Sequence, residues 1–354
     1  MKAVELLRRL VELESPTGDA ERIAHIGYFI SAELESVGAV VERRGQALVG
    51  RVGAGERPLV LAAHMDTVWP VGTLPRMPFR VEDGYAWGPG TLDMKAGIVT
   101  GIEALRRIGG SPRPVVFLIT ADEEIGSPTG RSLVEELARE ASAVLVLEPP
   151  VRDASITTSR SGLARYQLHI TGRAAHAGNG STAGVSAIEE LARQTLAVHR
   201  LPESIEGARV NVGQVGGGTG DNVVAGEAWA RIDARAWTTE AQLELEHALH
   251  SLKPQLEGAK IEVGGGITRP PMLRSPESQA LAARTLEVAA RLGIPLEERR
   301  SAGGSDGNFA AAVGAPVLDG LGPTGVGAHA VDERVSIESL EERTQLLEAL
   351  VREL

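Results

Sequence analysis

Three apolar runs of strand length in the first half of the chain each stop on a side chain that can bind metal or carry a proton. Residues 58–63 run into His64-Met65-Asp66, residues 114–120 into Ala121-Asp122-Glu123-Glu124, and residues 143–147 into Glu148-Pro149-Pro150. Helical periodicity fills the intervals at 96–108 and 132–139. Strands that alternate with helices pack as a mostly parallel sheet, because each crossover helix returns the chain in the same direction. The carboxyl ends of such strands share one edge, and ligands bind beyond it. His64, Glu123, Glu124 and Glu148 are therefore expected to converge. One histidine near one aspartate is an ordinary hydrogen-bonded pair, whereas three strands with the same ending point to a site.

The remaining pattern divides the chain. Helices are expected over 3–14 and 19–37, short strands over 40–43 and 48–52, and a long Pro- and Gly-rich loop over 69–90. Asp93 precedes the helix at 96–108, where it could serve either as a helix cap or as a ligand. Beyond residue 159 the character changes. Residues 164–170, 228–234 and 260–263 alternate with period two, and helical patterns occupy 185–198 and 239–252. That combination predicts an antiparallel sheet with helices on one side. A helix at 277–292, a Gly-rich turn at 302–308, a strand at 315–318 and a final helix at 337–354 restore the first character. The fold class is thus α/β, a mostly parallel domain over 1–158 and 269–354 with an α+β domain inserted at 159–268.

Composition narrows the chemistry. The chain has no cysteine, so a metal would have to be held by imidazole and carboxylate. A formal charge of -11 argues against a nucleic-acid partner. No apolar run approaches the roughly 18 residues that span a bilayer. The first helix carries charges through its apolar stripe and reads as amphipathic rather than as a signal peptide, so a cytoplasmic location is expected. The glycine clusters at 216–220 and 53–55 lack the lysine and spacing of a phosphate loop.

Two divalent cations about 3.5–4 Å apart need one bridging carboxylate and, on each ion, a histidine and a further carboxylate. His64 and His329 supply the imidazoles, Glu124 and Glu148 the terminal carboxylates, and Asp93 the bridge. Zinc suits these donors best, with cobalt or manganese as alternatives. Glu123, beside a ligand but pointing elsewhere, suits a general base acting on a bridging water. Asp66 is expected to accept the far ring N–H of His64 and so fix its tautomer. Among the other histidines, His25, His199, His247 and His250 read as solvent-facing and His169 as structural. His176 differs, because the small-residue turn at 172–178 leaves its ring accessible.

The segments HMDTV, GPGTLDMKAG, TADEEIGSPTG, LEPP, TGRAAHAG, GGSDGNF and GAHAVDERV occur in this order along nearly the whole chain. Together they resemble the dizinc aminoacylase and carboxypeptidase family, and within it most the glutamate carboxypeptidases of the folate-hydrolysing type. The resemblance implies one metal on His64, Asp93 and Glu148, the other on Asp93, Glu124 and His329, with Glu123 as base. It also implies a cis peptide at Asp93-Met94. The inserted domain would act as a lid and would dimerise, carrying His176 to the oxyanion of the partner's site. Asn222 and Arg235 match positions that contact the substrate carbonyl and its free carboxylate, although a turn asparagine and a surface arginine would look the same. The implied activity is hydrolysis of an amide bond next to a free α-carboxylate in a small peptide. The alternatives are an N-acyl amino acid deacylase of the acetylornithine or succinyl-diaminopimelate type, and an inactive binding protein on the same fold.

Overall fold

The computed structural model describes residues 2–152, 154–178 and 184–354. The chain divides into two compact units, one of Met1–Ser159, Leu273–Ser301 and Ser305–Leu354, the other of Arg160–Met272 with Ala302–Gly304.

The first unit is built on a six-stranded sheet in the order Val40–Arg44, Ala47–Val52, Val115–Thr120, Leu59–His64, Ala143–Val146, Val317–Leu318. The last four strands run parallel, and Ala47–Val52 runs antiparallel to both of its neighbours. Every residue of Leu59–His64 and Val115–Thr120 is buried, so both faces of the sheet centre are covered, as a parallel sheet requires. Leu61, Phe117 and Leu145 join Ile98, Ile102 and Leu105 of the helix Ala96–Ile108 in one core. Leu346, Leu347 and Leu350 of the final helix Ile337–Glu353 complete it. Burying one such side chain contributes about 1.5–3 kcal/mol. The register pairs His64 with Thr120 and Ala62 with Val146, so the strand ends line up along one edge.

The loop expected over 69–90 is partly sheet. Arg80–Glu82 and Tyr85–Trp87 pair with each other, and Tyr85–Trp87 also pairs with Arg334–Ser336, which in turn pairs with Gly325–Val326. Strands of two or three residues are too short to show a period, and their partners lie far along the chain. This small sheet matters because one strand leads into the Asp93 segment and the hairpin opposite carries His329. Ahead of Ala96–Ile108 lies a π-helical turn, Thr91–Lys95, within which Asp93 is non-helical (φ -117, ψ 100). No side chain caps the helix that follows, so Asp93 does not act as its cap. The Asp93-Met94 peptide is cis.

The second unit holds an antiparallel sheet ordered Ala208–Gly217, Glu227–Ala236, Gly162–Thr171, Lys260–Arg269. Alternate residues of the two central strands are buried, including Tyr166, Leu168, Ile170, Ala230 and Ile232. They pack on Leu191 and Val198 of Ala187–Ser204 and on Leu245 and Leu249 of Thr239–His250. The strand Ala208–Gly217 was not expected from the pattern, since its glycine-rich end and a register shift between Val212 and Gln214 blur the alternation. A short ribbon pairs Ala175–His176 with Val223–Val224.

Candidate metal centre

Five segments of the first unit bring their side chains to the carboxyl edge of the parallel sheet. His64 ends its strand, Glu123 and Glu124 begin a single 3-10 turn after Val115–Thr120, and Glu148 follows Ala143–Val146 by two residues. Asp93 and His329 arrive from the segments anchored by the small sheet, His329 with a left-handed backbone (φ 63).

The two oxygens of Asp93 face different histidines. His64 Nε2 lies 3.1 Å from Asp93 Oδ1 and 3.5 Å from Glu148 Oε1. His329 Nε2 lies 3.2 Å from Asp93 Oδ2 and 3.2 Å from Glu124 Oε2. Ligand atoms of Glu123 and Glu148 lie within 4.8 Å of each other and of His64, as do those of Asp93 and Glu124 around the same histidine. All six residues of the expected centre are therefore gathered around two imidazole nitrogens.

Asp66 is more than a partner for one ring. The N–H at Nδ1 of His64 donates to the Asp66 carbonyl oxygen at 3.0 Å, and the carboxylate Oδ1 lies slightly farther away at 3.3 Å. The expected partner was the carboxylate alone. That carboxylate also accepts the main-chain N–H of Glu123 and of Glu124, each at 3.3 Å, and the hydroxyl of Thr17 at 2.7 Å. One buried side chain thus ties the His64 strand end to the turn that carries both glutamates.

The electrostatics call for cations. Burial disfavours a charged His64, yet Asp66, Asp93 and Glu148 hold its imidazolium well above the usual range. Hydrogen bonds to Asp93 and Glu124 raise His329 to about 10. Burial, with the nearby charge of Asp93, pushes Glu148 up to about 7. Burial also works against the charge of Asp93, but His329 and His64 hold it well below the usual carboxylate range.

The donor set fits a pair of divalent ions on three counts. With Nδ1–H given to Asp66, Nε2 of His64 turns a lone pair toward two carboxylate oxygens, an arrangement that only a proton or a cation between them can stabilise. Oε1 of Glu124 is buried with no hydrogen-bond partner among the described residues. The nitrogen–oxygen separations of 3.1–3.5 Å also match the spacing of about 3.3 Å between two ligands of one tetrahedral zinc.

The other expected residues lie in the second unit. His176 is exposed, and its Nδ1 accepts the N–H of Gly178 at 3.1 Å. The Asn222 carbonyl accepts the N–H of Ala177 at 2.9 Å, which sets Asn222 beside that histidine. Arg235 does not join them. Its Nε donates to Asp233 Oδ1 at 2.7 Å and its Nη1 to the Ala302 carbonyl at 2.7 Å.

Among the buried charged groups that the sequence reading missed, Glu333 and Lys95 border the Asp93 segment. Glu333 accepts main-chain N–H groups around Asp93, a role no side-chain pattern reveals. Lys95 is fully buried, with burial lowering its amine to about 7 against the opposing charges of Glu333 and Glu14. An acid four residues after a candidate ligand was the available clue to Glu333.

Fold and donor set together define a metal-dependent hydrolase of the peptidase type. The model of peptidase family M20/M25/M40 matches residues 60–353, and the chain belongs to this family. Carboxypeptidase G2 of Pseudomonas sp. (strain RS-16) is 33% identical over 373 residues, covering 99% of this chain and 89% of that protein. Succinyl-diaminopimelate desuccinylase of Psychrobacter arcticus is 28% identical over 333 residues, covering 87% and 81%. Among solved structures, a tripeptidase from Staphylococcus aureus superposes with a TM-score of 0.83 at 25% identity, covering 99% and 97% of the two chains. The chain is a hydrolytic metallopeptidase, and peptide or acyl amino acid substrates fit its family.

Proposed function

We propose that the chain hydrolyses an amide bond next to a free α-carboxylate, in the manner of a glutamate carboxypeptidase, with two divalent ions, zinc by preference. The observation that carries this reading is the split of the Asp93 carboxylate between two histidine–carboxylate pairs. His64, Asp93 and Glu148 would hold one ion and Asp93, Glu124 and His329 the other. Bound there, the ions would polarise the scissile carbonyl and make water acidic enough to attack at neutral pH.

The chain's own groups do the proton work. Glu123 takes a proton from the attacking water and returns it to the leaving nitrogen. Because Nδ1 of His176 accepts from Gly178, the neutral ring carries its proton on Nε2, ready to donate to a developing oxyanion. Asn222, held beside it, would contact the same carbonyl. Arg235 keeps one uncommitted N–H on each Nη, a fork suited to the substrate carboxylate.

The layout of the second unit supports a homodimer. The His176 ribbon adjoins the start of the strand Glu227–Ala236, and Arg235 sits at the other end. The eight steps of strand from Glu227 to Arg235 span roughly 27 Å, more than a dipeptide reaches. On this reading His176 and Arg235 would serve different active sites, and the domain at 159–268 would be both lid and dimer interface.

A second reading, deacylation of N-acyl amino acids, draws on the desuccinylase relatives. Metal analysis and a panel of N-acyl and dipeptide substrates test both. Two equivalents of divalent metal and release of the carboxyl-terminal residue are expected. Glu123→Gln should lower kcat by about 10²–10⁴ with its metal retained. A chain that takes up no divalent ion would sink the reading, and turnover confined to succinyl or acetyl amines would favour the second.

A further inference from the structure

We infer that Glu333 is a positioning residue that locks the Asp93 and His329 segments into one body and so sets the metal affinity of the centre; this rests on the metal reading above. Glu333 is 1% exposed, yet its carboxylate is fully engaged. Oε1 accepts the N–H of Leu92 at 2.9 Å and of Asp93 at 3.1 Å. Oε2 accepts the N–H of Gly90 at 2.9 Å and the indole N–H of Trp69 at 2.7 Å. The Glu333 carbonyl also accepts the N–H of Gly88 at 3.2 Å.

The same residue is joined to His329 by a short, stiff path. Ala330 N–H donates to Gly327 O at 2.8 Å and Glu333 N–H to Ala330 O at 3.0 Å, two consecutive turns. The His329 segment therefore grips Asp93 at two points. His329 Nε2 meets the Asp93 carboxylate, and Glu333 holds the Asp93 main chain. Trp69, three residues beyond Asp66, brings the His64 strand end into the same network. No neutral side chain can replace the carboxylate, because four donors converge on it and an amide would turn its own NH₂ toward two of them.

Three variants test this: Glu333→Gln, Trp69→Phe, and Glu190→Gln as a control in the second unit, where a buried carboxylate accepts the N–H groups of Gln255 and Leu256. Zinc affinity of the metal-free chain is read by chelator competition, coordination by the d–d absorption of the cobalt-loaded chain, and stability by melting. Glu333→Gln should weaken zinc binding about 10–100-fold and alter the cobalt bands. Trp69→Phe should weaken it about fivefold, the worth of one hydrogen bond. Glu190→Gln should lower the melting temperature and leave affinity and bands alone. Parental affinity and bands in Glu333→Gln overturn the inference. Should that variant not fold, parental affinity and bands in Trp69→Phe overturn it instead. A parent chain that binds no metal fails the underlying reading, whereas a parent with two ions and unaffected variants fails only the role of Glu333.

Discussion

At the scale of single residues, the centre is a balance between protons and metal. In the metal-free chain, neighbouring carboxylates keep His64 and His329 charged at pH 7, His329 up to about 10, and Glu148 titrates at about 7. Ligands bind metal only in their deprotonated forms. Since each of these groups has a raised pKa, loading must expel protons, and affinity should climb from pH 6 to 8. At pH 7 about two to three protons per chain are expected, one from each imidazolium and the rest from Glu148. An indicator dye in weakly buffered solution measures them, and metal uptake without proton release would contradict the geometry. Asp66 shows how one side chain can serve several residues of the proposed centre: its carboxylate and carbonyl meet His64, Glu123 and Glu124 at once.

At the scale of elements, two glycines four residues apart let the helix Ala96–Ile108 pack its backbone directly on the sheet. A Cβ on Gly97 would run into the Leu147 carbonyl oxygen and lie 2.8 Å from Met94 Cε, and one on Gly101 would enter the Phe117 ring. Gly97→Ala gains helix propensity of about 1 kcal/mol but meets main chain that cannot yield. Overpacking should win, with a net loss of about 1–3 kcal/mol in urea unfolding. Stabilisation by this substitution would show that the helix can retreat. The elements also explain what could be read in advance. Buried strands ending on His64, Glu123 and Glu148 were legible because metal and proton chemistry restricts residue type and parallel topology restricts position. The strands Tyr85–Trp87 and Arg334–Ser336 were not, because their order comes from pairing across the chain rather than from local pattern. Glu333 stayed hidden for the same reason, since its partners are main-chain N–H groups that every sequence carries.

At the scale of the whole molecule, the proposed sharing of His176 between subunits makes two dead chains complementary. His176→Ala and Glu123→Gln should each be inactive alone. After subunit exchange, half the dimers are mixed and each restores one of its two sites, so about a quarter of parental activity should return. No recovery despite proven exchange would assign His176 to its own chain's site. The order of the sheet has one further consequence. Its edge strand Val317–Leu318 docks beside Ala143–Val146, and His329 comes later still, after the whole inserted unit. At ribosomal speeds of about 5–20 residues per second, roughly 10–40 seconds pass between the emergence of Glu148 and that of His329. Until then Glu123, Glu124 and Glu148 have His64 on the chain but neither His329 nor Glu333. The centre therefore cannot be complete before the carboxyl-terminal segment that carries His329 and Glu333 has been made.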